Sequence, residues 1–327
     1  MVLLARTEPR FSANWIAGFC WVIAAMQTTV AWSDDTQPLR LVQEPVLSPD
    51  GDTVAFAYGG DLWQVPRTGG RCQPLTSHSA TDSSPKYSRD GKTIAFISDR
   101  DGQNAIYQMP TEGGFPRRVT YHSEGYQLQD WFPNNRDVLA IGSRDHFWRR
   151  SGRLMRVGIK KREKEQVLAN AYASDASVSG DGKRVLFVRE GERWWRKGYY
   201  GSRSAQIWFL DLETNEFRLV LSETYDCRWP RWIGKQNAFV FTRGMSHGYE
   251  LCRFDFVDPQ DSKESKTGQE EDASGTPALS PMRGKITQLT SFGAESVVYP
   301  SVSGDGKHVV FRHLFDLYTM KVVDRDP

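Results

Sequence analysis

Apolar residues along this chain come in short bursts bounded by turn residues, never in the longer stripes of an amphipathic helix. The clearest example lies within residues 84–120. Thr93-Ile-Ala-Phe-Ile-Ser98 is β-branched and apolar on both faces, which predicts a strand buried inside a stack of sheets. Asp90-Gly91 before it and Asp101-Gly102 after it are hairpin signals. Ala105-Ile-Tyr-Gln-Met109 predicts the next strand, and Gly113-Gly114 turns the chain into a last one ending at Thr120. Four antiparallel strands joined by hairpins within about 40 residues form one blade of a β-propeller.

The unit recurs. Blades are predicted near residues 44–76, 84–120, 128–168, 175–221, 227–290 and 298–327. Ser48-Pro-Asp-Gly51 and Ser179-Gly-Asp-Gly182 repeat the turn, whereas Asp130-Trp-Phe-Pro-Asn-Asn135 replaces it in the third blade. The fold class predicted is all-β: a six-bladed β-propeller of four-stranded antiparallel blades, the domain covering residues 39–327, its last blade incomplete. Residues 39–43 could return as the outer strand of that blade, or the chain could continue in a longer protein. The second reading is preferred, because a terminal blade ordinarily ends at a strand rather than before one. Two stretches break the pattern. Residues 190–205 form a long loop in the fourth blade, and residues 258–284, rich in Ser, Glu, Asp, Lys and Gly, predict a disordered insertion in the fifth.

Residues 1–31 read as a secretory signal peptide: Arg6 and Arg10 precede an apolar run that ends near Thr29-Val30-Ala31, a small-x-small cleavage pattern. Phe19 before Cys20 does not fit a lipoprotein signal. No later stretch is long enough to span a membrane. The expectation is an exported protein, periplasmic or secreted, with no membrane association after cleavage. Lys and Arg number 42 against 40 Asp and Glu, a balance that argues against a general polyanion binder and hence against nucleic acid. Of four cysteines, Cys72, Cys227 and Cys252 lie beyond the signal, and Cys227 with Cys252 is the one candidate pair.

The chain carries no Gly-x-Ser-x-Gly, His-Glu-x-x-His, P-loop or Cys-x-x-Cys. No catalytic residue, cofactor or metal is predicted. His78 and His122 recur at equivalent blade ends, which repeat geometry explains. Two clusters stand out. Arg149-Arg150, with Arg144 and Arg153 nearby, presents paired guanidinium groups suited to bidentate capture of a carboxylate. Two adjacent loop arginines can equally be solvated. The second cluster interleaves Arg193, Trp194, Trp195, Arg196, Lys197, Tyr199 and Tyr200, a composition that binds nucleic acid, sugar or peptide. Given export and charge, this loop reads as an interface over a neighbouring blade or domain, its cations lining a pore.

Several longer strings resemble tricorn protease homologues: Val54-Ala-Phe-Ala-Tyr-Gly-Gly-Asp-Leu-Trp-Gln-Val-Pro66, Arg117-Arg-Val-Thr-Tyr-His-Ser123, Ser143-Arg-Asp-His-Phe-Trp-Arg-Arg-Ser-Gly-Arg-Leu154 and Trp195-Arg-Lys-Gly-Tyr-Tyr-Gly201. The resemblance covers roughly residues 39–323. It implies a six-bladed propeller leading into a second propeller and then a PDZ domain and serine protease domains (peptidase S41 type), in a homo-oligomer that trims peptides. It also implies that Arg149 and Arg150 anchor a substrate's C-terminal carboxylate. None of the hydrolytic residues falls within this chain. The alternative is a free-standing periplasmic TolB-like propeller that binds a protein partner, although a TolB protein would carry an α/β domain ahead of the repeats.

Overall fold

The computed structural model of the chain describes residues 39–146, 152–160, 165–191, 193–257 and 281–322. Every regular element among them is a strand. Blade one comprises β1 (Gln43–Leu47), β2 (Thr53–Tyr58), β3 (Asp61–Pro66) and β4 (Gln73–Pro74). Blade two comprises β5 (Asp82–Tyr87), β6 (Thr93–Ser98), β7 (Ala105–Pro110) and β8 (Arg117–Arg118). Blade three holds β9 (Gln127–Trp131), β10 (Asp137–Gly142), β11 (Arg153–Gly158) and β12 (Gln166–Asn170). Blade four holds β13 (Ala173–Val178), β14 (Arg184–Arg189), β15 (Gln206–Asp211) and β16 (Phe217–Leu221). Blade five is β17 (Cys227–Trp232), β18 (Ala238–Gly244), β19 (Tyr249–Phe256) and β20 (Gly284–Gln288). Blade six has three strands, β21 (Val297–Val302), β22 (His308–His313) and β23 (Asp316–Lys321). Each sheet is an antiparallel meander in chain order. The propeller with an incomplete last blade is therefore observed.

The first strand of each blade is the innermost, and these six strands pack side by side around an axis: β1 on β5, β5 on β9, β9 on β13, β13 on β17, β17 on β21, and β21 back on β1. The last seam is tied by Leu47 N donating to Ser301 Oγ (3.2 Å) and Gly304 N donating to Pro49 O (2.9 Å). The ring closes by side-by-side packing of blades one and six. Residues 39–42 add no outer strand to β23; Leu41 N donates to Phe315 O in the β22–β23 turn.

The core is six seams, one between each pair of neighbouring blades. Ile94, Phe96 and Tyr107 of blade two meet Ala55 and Leu62 of blade one, and Phe239, Phe241 and Phe254 of blade five meet Leu186 and Ile207 of blade four. This is why the second strands are apolar on both faces: each sheet is covered on both sides. A fully buried Phe or Ile contributes about 1.5–3 kcal/mol. Cys227 and Cys252 are both buried as free thiols in one seam, so that candidate pair is not bonded.

The repeated turn has a common mechanism. In four blades a serine hydroxyl (Ser48, Ser88, Ser179, Ser303) donates to the aspartate two residues on, and accepts the amide that starts the second strand. The glycine that follows takes φ between 71° and 79°, a region open to glycine. Those bonds hold Asp50 below the usual carboxylate range, the Ser48 hydroxyl being the main cause, and Asp90 likewise through Ser88. His78 and His122 each accept, on Nδ1, the amide two residues later.

Candidate functional site

The axial channel is built by one irregularity repeated in every blade. Each innermost strand carries a β-bulge against its neighbour. In four blades the bulge is an X-Pro pair: Glu44-Pro45, Ser84-Pro85, Trp229-Pro230 and Tyr299-Pro300. Proline fits because the extra residue needs no ladder N–H. The residue before it is held at positive φ, from 49° to 55°, a conformation costing of order 1–3 kcal/mol that clusters at functional sites. The bulge re-aims these side chains into the channel.

Two tiers result. The bulge tier is Glu44, Ser84, Leu128, Asp175, Trp229 and Tyr299, around a cavity of about 170 Å³. The tier below it is Val46, Lys86, Asp130, Ser177, Arg231 and Ser301, around a narrower cavity of about 70 Å³ at the Ser-Asp turn end. Lys86, Gln129 and Arg231 line both.

Some of the channel charges are partly tied to the wall. Asp130 accepts from Arg89 Nη2 (2.9 Å), Val178 N (2.9 Å) and Trp131 N (2.8 Å). Glu44 accepts from Ser84 N (2.6 Å) and Ser84 Oγ (2.9 Å). Arg231 donates to Ala176 O at 3.1 Å. Lys86 and Asp175 differ, their side chains forming no hydrogen bond or ion pair with a described residue. Burial and the Arg231 charge push the Lys86 ammonium down to about 8. Burial lifts Asp175 above its ordinary value, against the pull of Arg231, Arg228 and Lys86. Ser174 Oγ, on the same wall, is buried without a partner.

The wider mouth is roofed by the long loop of blade four. Trp194 reaches across to Trp229 (6.3 Å between ring centroids) and Tyr299 (6.2 Å), with the Arg312 guanidinium 5.7 Å from its centre. Lys197 forms an ion pair with Glu295 ahead of blade six. Gly198 is required where the loop passes the carbonyl of Ser246, because a Cβ there would sit 2.8 Å from that oxygen. Arg193 and Arg196 lie over the rings of Trp195 (5.2 Å) and Tyr199 (4.7 Å); Trp195 and Tyr200 are exposed. Of this cluster, then, Trp194 borders the channel and the cations lie on their own loop's rings or on Glu295. The loop hangs from a buried ion pair: Asp226 accepts from Arg228 Nη2 (2.8 Å), Tyr249 Oη (2.9 Å) and Ala205 N (2.7 Å). Sequence reasoning passed over Lys86, Asp175 and Arg231, which lie in three separate blades and meet only when the ring closes; the recurring X-Pro was the available signal.

Arg149 and Arg150 lie outside the described residues, as do residues 1–38 and 258–280. Their neighbours Arg144 and Arg153 are committed to structure. Arg144 pairs with Glu165 (2.7 Å) and Asp145 (3.0 Å), and Arg153 bonds Asn170 Oδ1 at 2.7 Å. Strand β20 starts at Gly284, so the expected insertion ends at least one residue earlier than predicted. Among the described residues no cluster of three or more His, Cys, Asp or Glu is placed to hold a metal ion.

Comparison with known proteins agrees with this architecture. The family model described as the tricorn protease N-terminal β-propeller domain matches residues 39–253, more than half of the chain. Tricorn protease homolog 1 of Streptomyces coelicolor is 27% identical over 210 residues, which is 63% of this chain and 19% of that protein. The uncharacterized peptidase YuxL of Bacillus subtilis is 32% identical over 225 residues, 65% of this chain and 31% of the relative. The chain thus spans well under half the length of the curated relatives it matches. Among solved structures, the tricorn protease superposes with a TM-score of 0.67 at 18% identity, covering 87% of this chain and 25% of that one. A putative TolB from Agrobacterium tumefaciens gives 0.59 at 17% identity, covering 87% and 91%. With the repeats, the six seams and the family match in agreement, the chain belongs to the tricorn protease N-terminal β-propeller domain family.

Proposed function

We propose that this chain is the propeller module of an exported tricorn-like serine peptidase, guiding peptide substrates and anchoring their C-terminal carboxylate through Arg149 and Arg150, with hydrolysis carried out by protease domains outside the chain. Family membership carries this reading, and the narrow polar channel with strained, inward-aimed side chains supports it. Paired guanidinium groups suit a terminal carboxylate in geometry and charge. Such an anchor fixes the cleavage position relative to the peptide's end and favours trimming of short products.

The test is made in the assembled peptidase. Replacing Arg149 and Arg150 together with Ala is expected to abolish the preference for peptides with a free C-terminus over the same peptides amidated. An unchanged ratio of the two cleavage rates removes the anchor. The TolB-like alternative rests on fold alone, since the solved TolB structure is 17% identical. Export is tested by the mass of the mature protein, expected to lack residues 1–31.

A further inference from the structure

The wide cavity of the channel holds an unusual set of charges. Anionic groups come from blades one and four (Glu44, Asp175) and cationic groups from blades two and five (Lys86, Arg231), so that like charges face one another across the ring. Their fields reach one another, Arg231 and Lys86 both acting on Asp175. No ion pair joins any two of the four among the described residues. Glu44 is turned to Ser84 by the bulge, Arg231 to the Ala176 carbonyl, and Lys86 and Asp175 make no ion pair with a described residue. A polar wall left open on both signs is complementary to a molecule that carries both signs itself. The aromatic faces of Trp229 and Tyr299, 5.2 Å apart between centroids, supply an apolar side to the same space, and the partnerless Ser174 hydroxyl adds a hydrogen-bonding group.

We infer that the bulge tier is a binding site for a small zwitterion, a free dipeptide or amino acid, whose carboxylate meets Lys86 and Arg231 and whose ammonium meets Asp175 and Glu44. The cavity of about 170 Å³ suits a small ligand and not a folded one. The ligand class rests on the reading of the module as one that handles peptides; the site itself rests on the channel geometry. In a trimming enzyme such a pocket would hold product-sized pieces.

The test is calorimetric titration of the full chain with Gly-Phe and with its N-acetylated, C-amidated and doubly blocked forms. The wild-type chain alone is decisive. Saturable binding of the free dipeptide is expected, weakened about tenfold or more by blocking either end, as for loss of a charged hydrogen bond. Equal binding of all four forms, or none, overturns the site. Variants then place it. Lys86→Met should remove sensitivity to amidation and Asp175→Asn sensitivity to acetylation, with Lys86→Arg restoring the former. If instead Arg149→Ala with Arg150→Ala abolishes binding while Lys86→Met and Asp175→Asn leave it unchanged, the pocket is refuted while the peptide-guiding reading stands. If the pocket binds as expected and the assembled peptidase shows no dependence on Arg149 and Arg150, the anchor fails and the pocket stands.

Discussion

Two parts of each innermost strand, a few residues apart, follow opposite rules. At its lower end the same serine recurs in four blades and performs the same task, bridging an aspartate and the next strand's amide. At the bulge the six blades present Glu44, Ser84, Leu128, Asp175, Trp229 and Tyr299, six different side chains on one backbone irregularity. Where the repeat is kept, the residue serves the sheet. Where it is broken at a fixed position, the backbone is held common and the chemistry is varied. Strain points the same way: the residues at positive φ before proline sit at the bulge, inside the channel, while the four Ser-Asp turns meet their positive φ with glycine.

The sharpest break of the contrast is at Asp226, which is buried with Arg228 beneath the loop that roofs the channel. Asp226→Ala takes the carboxylate from a buried guanidinium and is expected to lower unfolding stability by about 3–5 kcal/mol in a urea titration. Lys86→Met should act in the opposite direction. The folded-state value of Lys86 lies below that of the unfolded chain, so the penalty of burying its charge is fully present below pH about 8 and fades as pH rises toward the unfolded value near 10. The variant is therefore expected to be more stable than wild type at pH 7, by roughly 2 kcal/mol, with the gap closing by pH 10. A stability gap independent of pH would show that Lys86 is not desolvated. Ser88→Ala, on the scaffold side, should cost about 1 kcal/mol, as one turn hydroxyl is lost. It should also leave dipeptide binding unaltered. Acid adds a check on the turns as a group. Because Asp50 and Asp90 are held below their ordinary value, their contribution is whole above pH about 4 and is lost as pH falls further.

The ring was legible because its determinants are local. The run Thr93–Ser98 is apolar on both faces, and its strand has the bounds the pattern predicts. Blade three is less regular, with Phe132 in place of the turn serine, yet Asn134 supplies a similar cap to Arg136 and Asp137. The outer strands were the least legible. In blade two only Arg117–Arg118 pair where a strand running to Thr120 was expected, since an outermost strand buries little and its pattern fades. The channel could not be assembled from sequence. Lys86, Asp175 and Arg231 each look like an ordinary polar position on a strand, and their meaning comes from sharing one wall after closure by β1 against β21. The aromatic loop was visible as a cluster, but nothing local says that Trp194, rather than Trp195, turns inward to Trp229 and Tyr299.

The most direct measurement is a crystal structure of the full chain soaked with glycyl-4-bromophenylalanine, read from the bromine anomalous signal. The account predicts one strong peak in the bulge tier beside Trp229 and Tyr299, with the carboxylate on Lys86 and Arg231. A peak at the Arg149–Arg150 loop with an empty channel would contradict it.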